Sequence, residues 1–127
     1  MRILIVDDNR DIIELLHHVL AAEGHEVVVA RDGLDALQQE ASARPEVVVC
    51  DVNLPGIDGW EVCRRIKARR DIPVLLLTVR AERADIERSR AAGADDHMLK
   101  PFDIGEFLER LARLTSRARS PAASDMP

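Results

Sequence analysis

Tyrosine is absent from this chain, and two phenylalanines and one tryptophan are its only aromatic residues in 127. So few rings leave little to stack on a flavin, and no glycine-rich phosphate loop appears. A flavodoxin-like cofactor binder is therefore disfavoured. Lysine is scarce too: beside 16 arginines stand only Lys67 and Lys100. Cysteine occurs twice, at Cys50 and Cys63, each within an apolar pattern. With no CxxC and no Cys/His cluster, structural zinc is disfavoured, and two buried free thiols are the expectation. No apolar run approaches the ~18 residues of a membrane-spanning helix. The opening "MRILIVDD" is too short for a secretory apolar region and carries no cleavage-site pattern, so a cytoplasmic protein is expected. Positive charge is not in surplus either. The formal net charge of -5 argues against direct nucleic-acid binding by this domain.

What is present is a regular alternation. Five apolar runs occur, at Ile3 to Val6, Val27 to Val29, Val47 to Cys50, Val74 to Leu77 and Met98-Leu99. They are mostly unbroken, as in strands buried on both faces of a parallel sheet. Between them lie helical stripes: Ile12, Ile13, Leu16, Val19 and Leu20; then Trp60, Cys63 and Ile66, with Val62 beside them; then Ile104, Phe107, Leu108, Leu111 and Leu114. Asn9 is placed to cap the first helix, with Asp11 and Glu14 near its positive end. Residues 34–43 and 82–92 carry weaker helical patterns. The predicted fold is a doubly wound α/β domain, a five-stranded parallel sheet with helices on both faces. One domain spans 1–117. Residues 118–127, within the Ser-, Pro- and Ala-rich end of the chain, are expected to be a disordered tail or the start of a linker.

The polar residues fall at strand ends. The first strand ends in Asp7-Asp8, the third in Asp51, the fourth in Thr78 and the fifth in Lys100. Only the second stops without an obvious reactive group apart from Asp32. Ligands of open α/β sheets bind at this carboxyl edge, where strand order reverses. With the order 2-1-3-4-5, strands 1 and 3 are neighbours ~4.8 Å apart. Asp7, Asp8 and Asp51 then crowd together, with Thr78 and Lys100 on the far side. Three carboxylates so placed repel one another unless one is protonated or a cation lies between them. An all-oxygen set favours a hard ion, Mg²⁺ or Mn²⁺, over zinc. A divalent ion, an ammonium and a hydroxyl suit a phosphoryl group, with Asp51 as nucleophile. Singly, a strand-end Asp is most often a loop or cap residue, and a strand-end Thr or Lys is most often solvated. Four strand ends converging on one chemistry carry more weight than any one of them.

At these residues the chain resembles the receiver domain of bacterial two-component response regulators. The likeness rests on "ILIVDDN" (3–9), "VVVCDVNLPGIDGWEV" (47–62), "VLLLT" (74–78) and "AGADDHMLKPF" (92–102). It is nearest to receivers of winged-helix transcription factors or of hybrid kinases. The resemblance implies that Asp51 accepts a phosphoryl group from a histidine kinase or a phosphotransfer protein. It implies Mg²⁺ on Asp8, Asp51 and the Asn53 carbonyl, with Asp7 acting through water. Lys100 would pair with Asp51 and then with the phosphoryl group. Thr78 would move toward that group, and the Lys100–Pro101 peptide would be cis. A compact ammonium with three donors suits this place better than the fork of an arginine.

Some positions depart from the family pattern. Val79 stands where most relatives carry a smaller residue, which implies slower dephosphorylation. His97 takes the place of an aromatic switch residue; it is either a rotating, titratable ring or a solvated imidazole. Asp95, Asp96, Glu106, Arg110 and Arg117 match charged positions of a face formed by helix 4, strand 5 and helix 5, through which winged-helix relatives form homodimers. The expected basic partner on helix 4 is replaced by Ile86. The same charges also suit an ordinary solvated surface. An aspartate-based small-molecule phosphatase or phosphotransferase is the competing class. Against it, Asn53 stands where that chemistry needs a second acid, and no cap domain is apparent.

Overall fold

The computed structural model describes residues 1–80 and 82–119, and side chains through residue 116. Strand β1 (Arg2–Val6) leads to α1 (Arg10–Ala22), β2 (Glu26–Ala30), α2 (Gly33–Ala43), β3 (Val47–Asp51) and α3 (Gly59–Arg69). The chain continues through β4 (Val74–Thr78), α4 (Arg83–Ala91), β5 (Asp96–Leu99) and α5 (Ile104–Arg119). The five strands are parallel, in the order β2-β1-β3-β4-β5. This is the predicted architecture. Helix α5 continues through residues 118 and 119, where the sequence pattern placed the start of a tail. The rest of the expected tail, 120–127, lies outside the described residues.

The strand period of two sorts the core into two layers. Leu4, Val6, Val48, Cys50 and Leu76 face Ala36, Val62, Cys63 and Ile66 of α2 and α3. Ile3, Ile5, Val49, Leu75 and Leu77 face Leu16 and Leu20 of α1 and Phe107, Leu111 and Leu114 of α5. Central β3 and β4 are buried along their whole length, whereas β2 is only partly buried except at Ala30. That contrast is what an edge position produces.

The helix starts are fixed by side chains at the carboxyl edge of the sheet. Asn9 accepts hydrogen bonds from the amides of Asp11 and Ile12. Asp32 accepts from Asp35, and Asp58 accepts from Glu61. Such caps satisfy amides that a helix N-terminus leaves unpaired. Helix α4 differs: Glu82 at its start makes no side-chain cap bond, and only Ser89 is buried. Gly59 opens α3 against the back of β3. A Cβ there would lie 2.2 Å from the Asp51 carbonyl oxygen, so the approach requires glycine.

Candidate functional site

The register of the sheet assembles the site. Val6 pairs with Cys50, so Asp7 and Asp51 follow side by side on β1 and β3. Asp51 in turn pairs with Leu77, one residue before Thr78. Thr78 pairs with Leu99, one residue before Lys100. Asp7, Asp51 and Thr78 are buried, and Asp8 is exposed. The Lys100–Pro101 peptide is cis.

The Lys100 Nζ lies 2.8 Å from Asp7 Oδ2 and 3.3 Å from Asp51 Oδ2. Asp51 was the partner expected; the ammonium bridges both carboxylates and lies nearer Asp7. The other Asp7 oxygen, Oδ1, accepts the Asn9 amide at 2.9 Å. Asp51 Oδ1 accepts the Asn53 amide at 3.3 Å. The Thr78 hydroxyl oxygen accepts the Arg80 amide at 2.9 Å, which leaves its proton to donate.

Electrostatics set the site against itself. Burial raises the Asp51 pKa, and the Asp7 charge raises it further, while Lys100 and the Asn53 amide pull it back. Burial alone would lower Lys100, but the hydrogen bond to Asp7 and the charges of Asp7 and Asp51 outweigh it and raise its pKa. The ammonium is therefore held charged, yet one cation faces three carboxylates. Asp7, Asp8 and Asp51 offer oxygens all within 4.8 Å of one another. An under-neutralised, all-oxygen set with one member open to solvent fits a hard, partly hydrated divalent cation.

Of the remaining candidates, Asp96, His97, Glu106 and Arg110 gather on a separate surface. Arg110 Nη1 donates to Asp96 Oδ1 and to the His97 carbonyl, each at 3.0 Å. Its Nη2 lies 2.9 Å from Glu106 Oε1. His97 is half-buried on β5, with its amide on Asp96 Oδ1. Asp95 is tied to the other side of the sheet: its Oδ2 accepts from Lys67 Nζ at 3.0 Å and from the Val74 amide at 2.8 Å. Arg117 lies in α5, with its side chain outside the described residues.

Two features escaped the sequence reading. Lys67, the other lysine, is an internal cation like Lys100, and the scarcity of lysine was the available signal. Trp60 gathers Arg80, Arg88 and Ser89 around its indole, a grouping spread over 29 residues that no local pattern reveals.

A family model described as "Response regulator receiver domain" matches residues 3–112. Response regulator MprA of Mycobacterium avium is 42% identical over 94% of this chain. The match covers 53% of that protein, so the chain spans about half the length of the curated relatives it matches. The BeF3-activated N-terminal receiver domain of Klebsiella pneumoniae RstA superimposes with a TM-score of 0.86 at 30% identity, covering 90% of this chain and 97% of that one. The signal receiver domain of a signal transduction histidine kinase from Syntrophus aciditrophicus gives 0.84 at 36% identity, covering 91% and 89%.

Proposed function

The chain belongs to the response regulator receiver family, and on that premise we propose that Asp51 is its phosphoacceptor. The donor is a phosphohistidine on a histidine kinase or phosphotransfer protein. An Asp51 carboxylate oxygen attacks phosphorus; the new O–P bond forms as the N–P bond breaks, and the electron pair stays on the imidazole nitrogen. Asp8, Asp51 and the Asn53 carbonyl, with Asp7 through water, are the groups that would hold Mg²⁺ (or Mn²⁺), which neutralises charge on the phosphoryl oxygens when bound.

The chain's own residues supply the rest. Lys100 already contacts Asp51, and its ammonium turns to a phosphoryl oxygen as the acyl phosphate forms. Thr78 donates its hydroxyl proton to another, and its motion draws on the Arg80 amide that it now accepts. That motion carries the change to the α4–β5–α5 surface, with His97 as the switch residue beside Asp96 and Arg110. The output is a protein contact on that surface, either with a partner or with a second copy of the chain. Water attack on phosphorus restores Asp51. Val79, 61% exposed and next to Thr78, narrows the approach of that water. The domain is thus a cytoplasmic switch that catalyses only its own phosphorylation and dephosphorylation.

The observation that carries this reading is the Lys100 ammonium bridging two buried carboxylates next to a buried threonine hydroxyl. The test is incubation with Mg²⁺ and acetyl phosphate, followed by intact mass. One hydroxylamine-labile phosphoryl group is expected on the wild type and none on Asp51→Asn. No adduct on the wild type would sink the proposal.

A further inference from the structure

Helix α4 is anchored in an unusual way. Its one buried side chain is Ser89, and the partner of Ser89 is Trp60 on α3. The Trp60 Nε1–H donates to Ser89 Oγ at 2.9 Å, and Ser89 Oγ donates to the Asp85 carbonyl at 3.2 Å. The Arg88 guanidinium carbon lies 3.8 Å from the indole centroid, and Arg88 also reaches Asp58 at 3.8 Å. Thus α4 meets the body of the domain at Trp60 through one hydrogen bond and one cation–π contact.

The same ring takes a second cation. The guanidinium carbon of Arg80 lies 5.4 Å from its centroid, inside the ~6 Å range of cation–π attraction. Arg80 belongs to the connection between β4 and α4, and its amide donates to the Thr78 hydroxyl. Trp60 itself follows Gly59, whose backbone is pressed against the Asp51 carbonyl. A continuous physical path therefore runs from Thr78 through Arg80 to the indole, and from the indole through Arg88 and Ser89 into α4. Two like charges on one ring repel each other, which weakens the hold of each.

We propose that Trp60 is a positioning residue that latches α4 and the β4–α4 connection to the phosphorylation site. The latch is closed while Thr78 holds the Arg80 amide and opens when Thr78 turns to a phosphoryl group on Asp51. This rests on the reading of Asp51 as phosphoacceptor. On opening, Arg80 withdraws from the indole, and the Arg88 and Ser89 contacts that hold α4 to the ring loosen with it. A chain with a weakened latch has less to undo, so it reaches the released state more readily.

The full chain provides the test, because Trp60 is its only tryptophan. Acetyl phosphate with Mg²⁺ is the probe. Intact mass reports occupancy of Asp51, emission reports Trp60, and amide hydrogen exchange reports residues 82–92. Phosphorylation of the wild type changes the Trp60 emission and speeds exchange in α4. In Arg80→Ala the emission response is lost, and in Arg80→Lys, which keeps a cation, it is retained. Arg88 is a surface residue, so Arg88→Ala folds normally. It raises α4 exchange about 2- to 5-fold before any phosphorylation and speeds acetyl phosphate labelling by a similar factor, the weight of one exposed cation–π contact. Phosphorylated wild type and Arg80→Ala with the same emission response, or Arg88→Ala with wild-type exchange, overturns the latch and leaves the phosphoacceptor reading standing. Absence of any adduct on the wild type overturns both, and the mass alone shows it.

Discussion

Two clusters of buried charge sit at opposite ends of the sheet, and they are built on opposite principles. At the carboxyl edge, Asp7 and Asp51 share the single ammonium of Lys100, with exposed Asp8 alongside. At the amino edge, the carboxylate of Glu40 is 1% exposed and faces two guanidiniums, Arg69 at 2.7 Å and Arg70 at 2.6 Å. Arg70 also donates to the Pro45 carbonyl at 2.9 Å, which ties α2, α3 and the entry to β3 together. One cluster has more cation than anion and every carboxylate oxygen engaged. The other has more anion than cation and a donor set open to solvent. The first is a clamp. The second is short of cation, as the phosphorylation site proposed above requires, and it holds its charge at a cost to the fold.

The largest expected effect comes from breaking the clamp. Glu40→Ala leaves two guanidiniums without their carboxylate. Removing one partner of a buried pair costs about 3–5 kcal/mol. Arg69 is about half exposed and can resolvate, so about 2–3 kcal/mol is expected here. Denaturant unfolding checks this, and a loss below about 0.5 kcal/mol would show that the cluster is not a clamp. Phosphorylation by acetyl phosphate should survive this change in the folded fraction, because the two clusters share no residue and lie at opposite edges of the sheet.

The opposite edge should respond to added cation. At ten times its dissociation constant, Mg²⁺ is expected to stabilise the wild type by about 1.4 kcal/mol, through binding to the folded state alone. Glu40→Ala should keep that gain and Asp51→Asn should lose most of it. Equal Mg²⁺ stabilisation in wild type and Asp51→Asn would mean that the ion binds elsewhere.

A smaller effect, of opposite sign to that of Glu40→Ala, is expected from Asp51→Asn without metal. The folded Asp51 pKa is raised, chiefly by burial and next by the Asp7 charge. A raised carboxyl favours folding below its unfolded pKa and loses that contribution as pH rises through the folded value. At pH 7 the ionised Asp51 therefore strains the fold. Asp51→Asn should stabilise it there, with the gain shrinking as pH falls through the raised folded value and gone below the unfolded one. Thermal melts across pH read this directly, and a destabilised Asn variant at pH 7 would contradict it.

The smallest effect is kinetic. Val79→Ala should lose its phosphoryl group a few-fold faster than the wild type, the scale of a minor steric barrier. An equal or slower rate would remove Val79 from the account.

The carboxyl-edge cluster was legible in the sequence and the clamp was not, for a physical reason. Asp7, Asp51, Thr78 and Lys100 each end an unbroken apolar run, and parallel topology alone brings such ends together. Glu40 lies within a weakly patterned helix, where a glutamate reads as a solvated residue; its burial depends on Arg69 and Arg70, some 30 residues away. Asp95 shows the same limit. Its neighbour in sequence, Asp96, joins Arg110 as a surface reading expects, but Asp95 also reaches through to Lys67 on α3. The short pattern of α4 hid its anchor, because Trp60, Arg88 and Ser89 hold it by polar and cation–π contacts rather than by an apolar stripe.

The central claim is that the under-neutralised cluster directs phosphoryl transfer to one carboxylate. The most direct measurement is borohydride reduction of the chain after acetyl phosphate treatment, followed by peptide sequencing, since an aspartyl phosphate is reduced to homoserine. Homoserine is expected at position 51 alone. Homoserine at position 7 or 8, or none in a chain that carries the added mass, would contradict it.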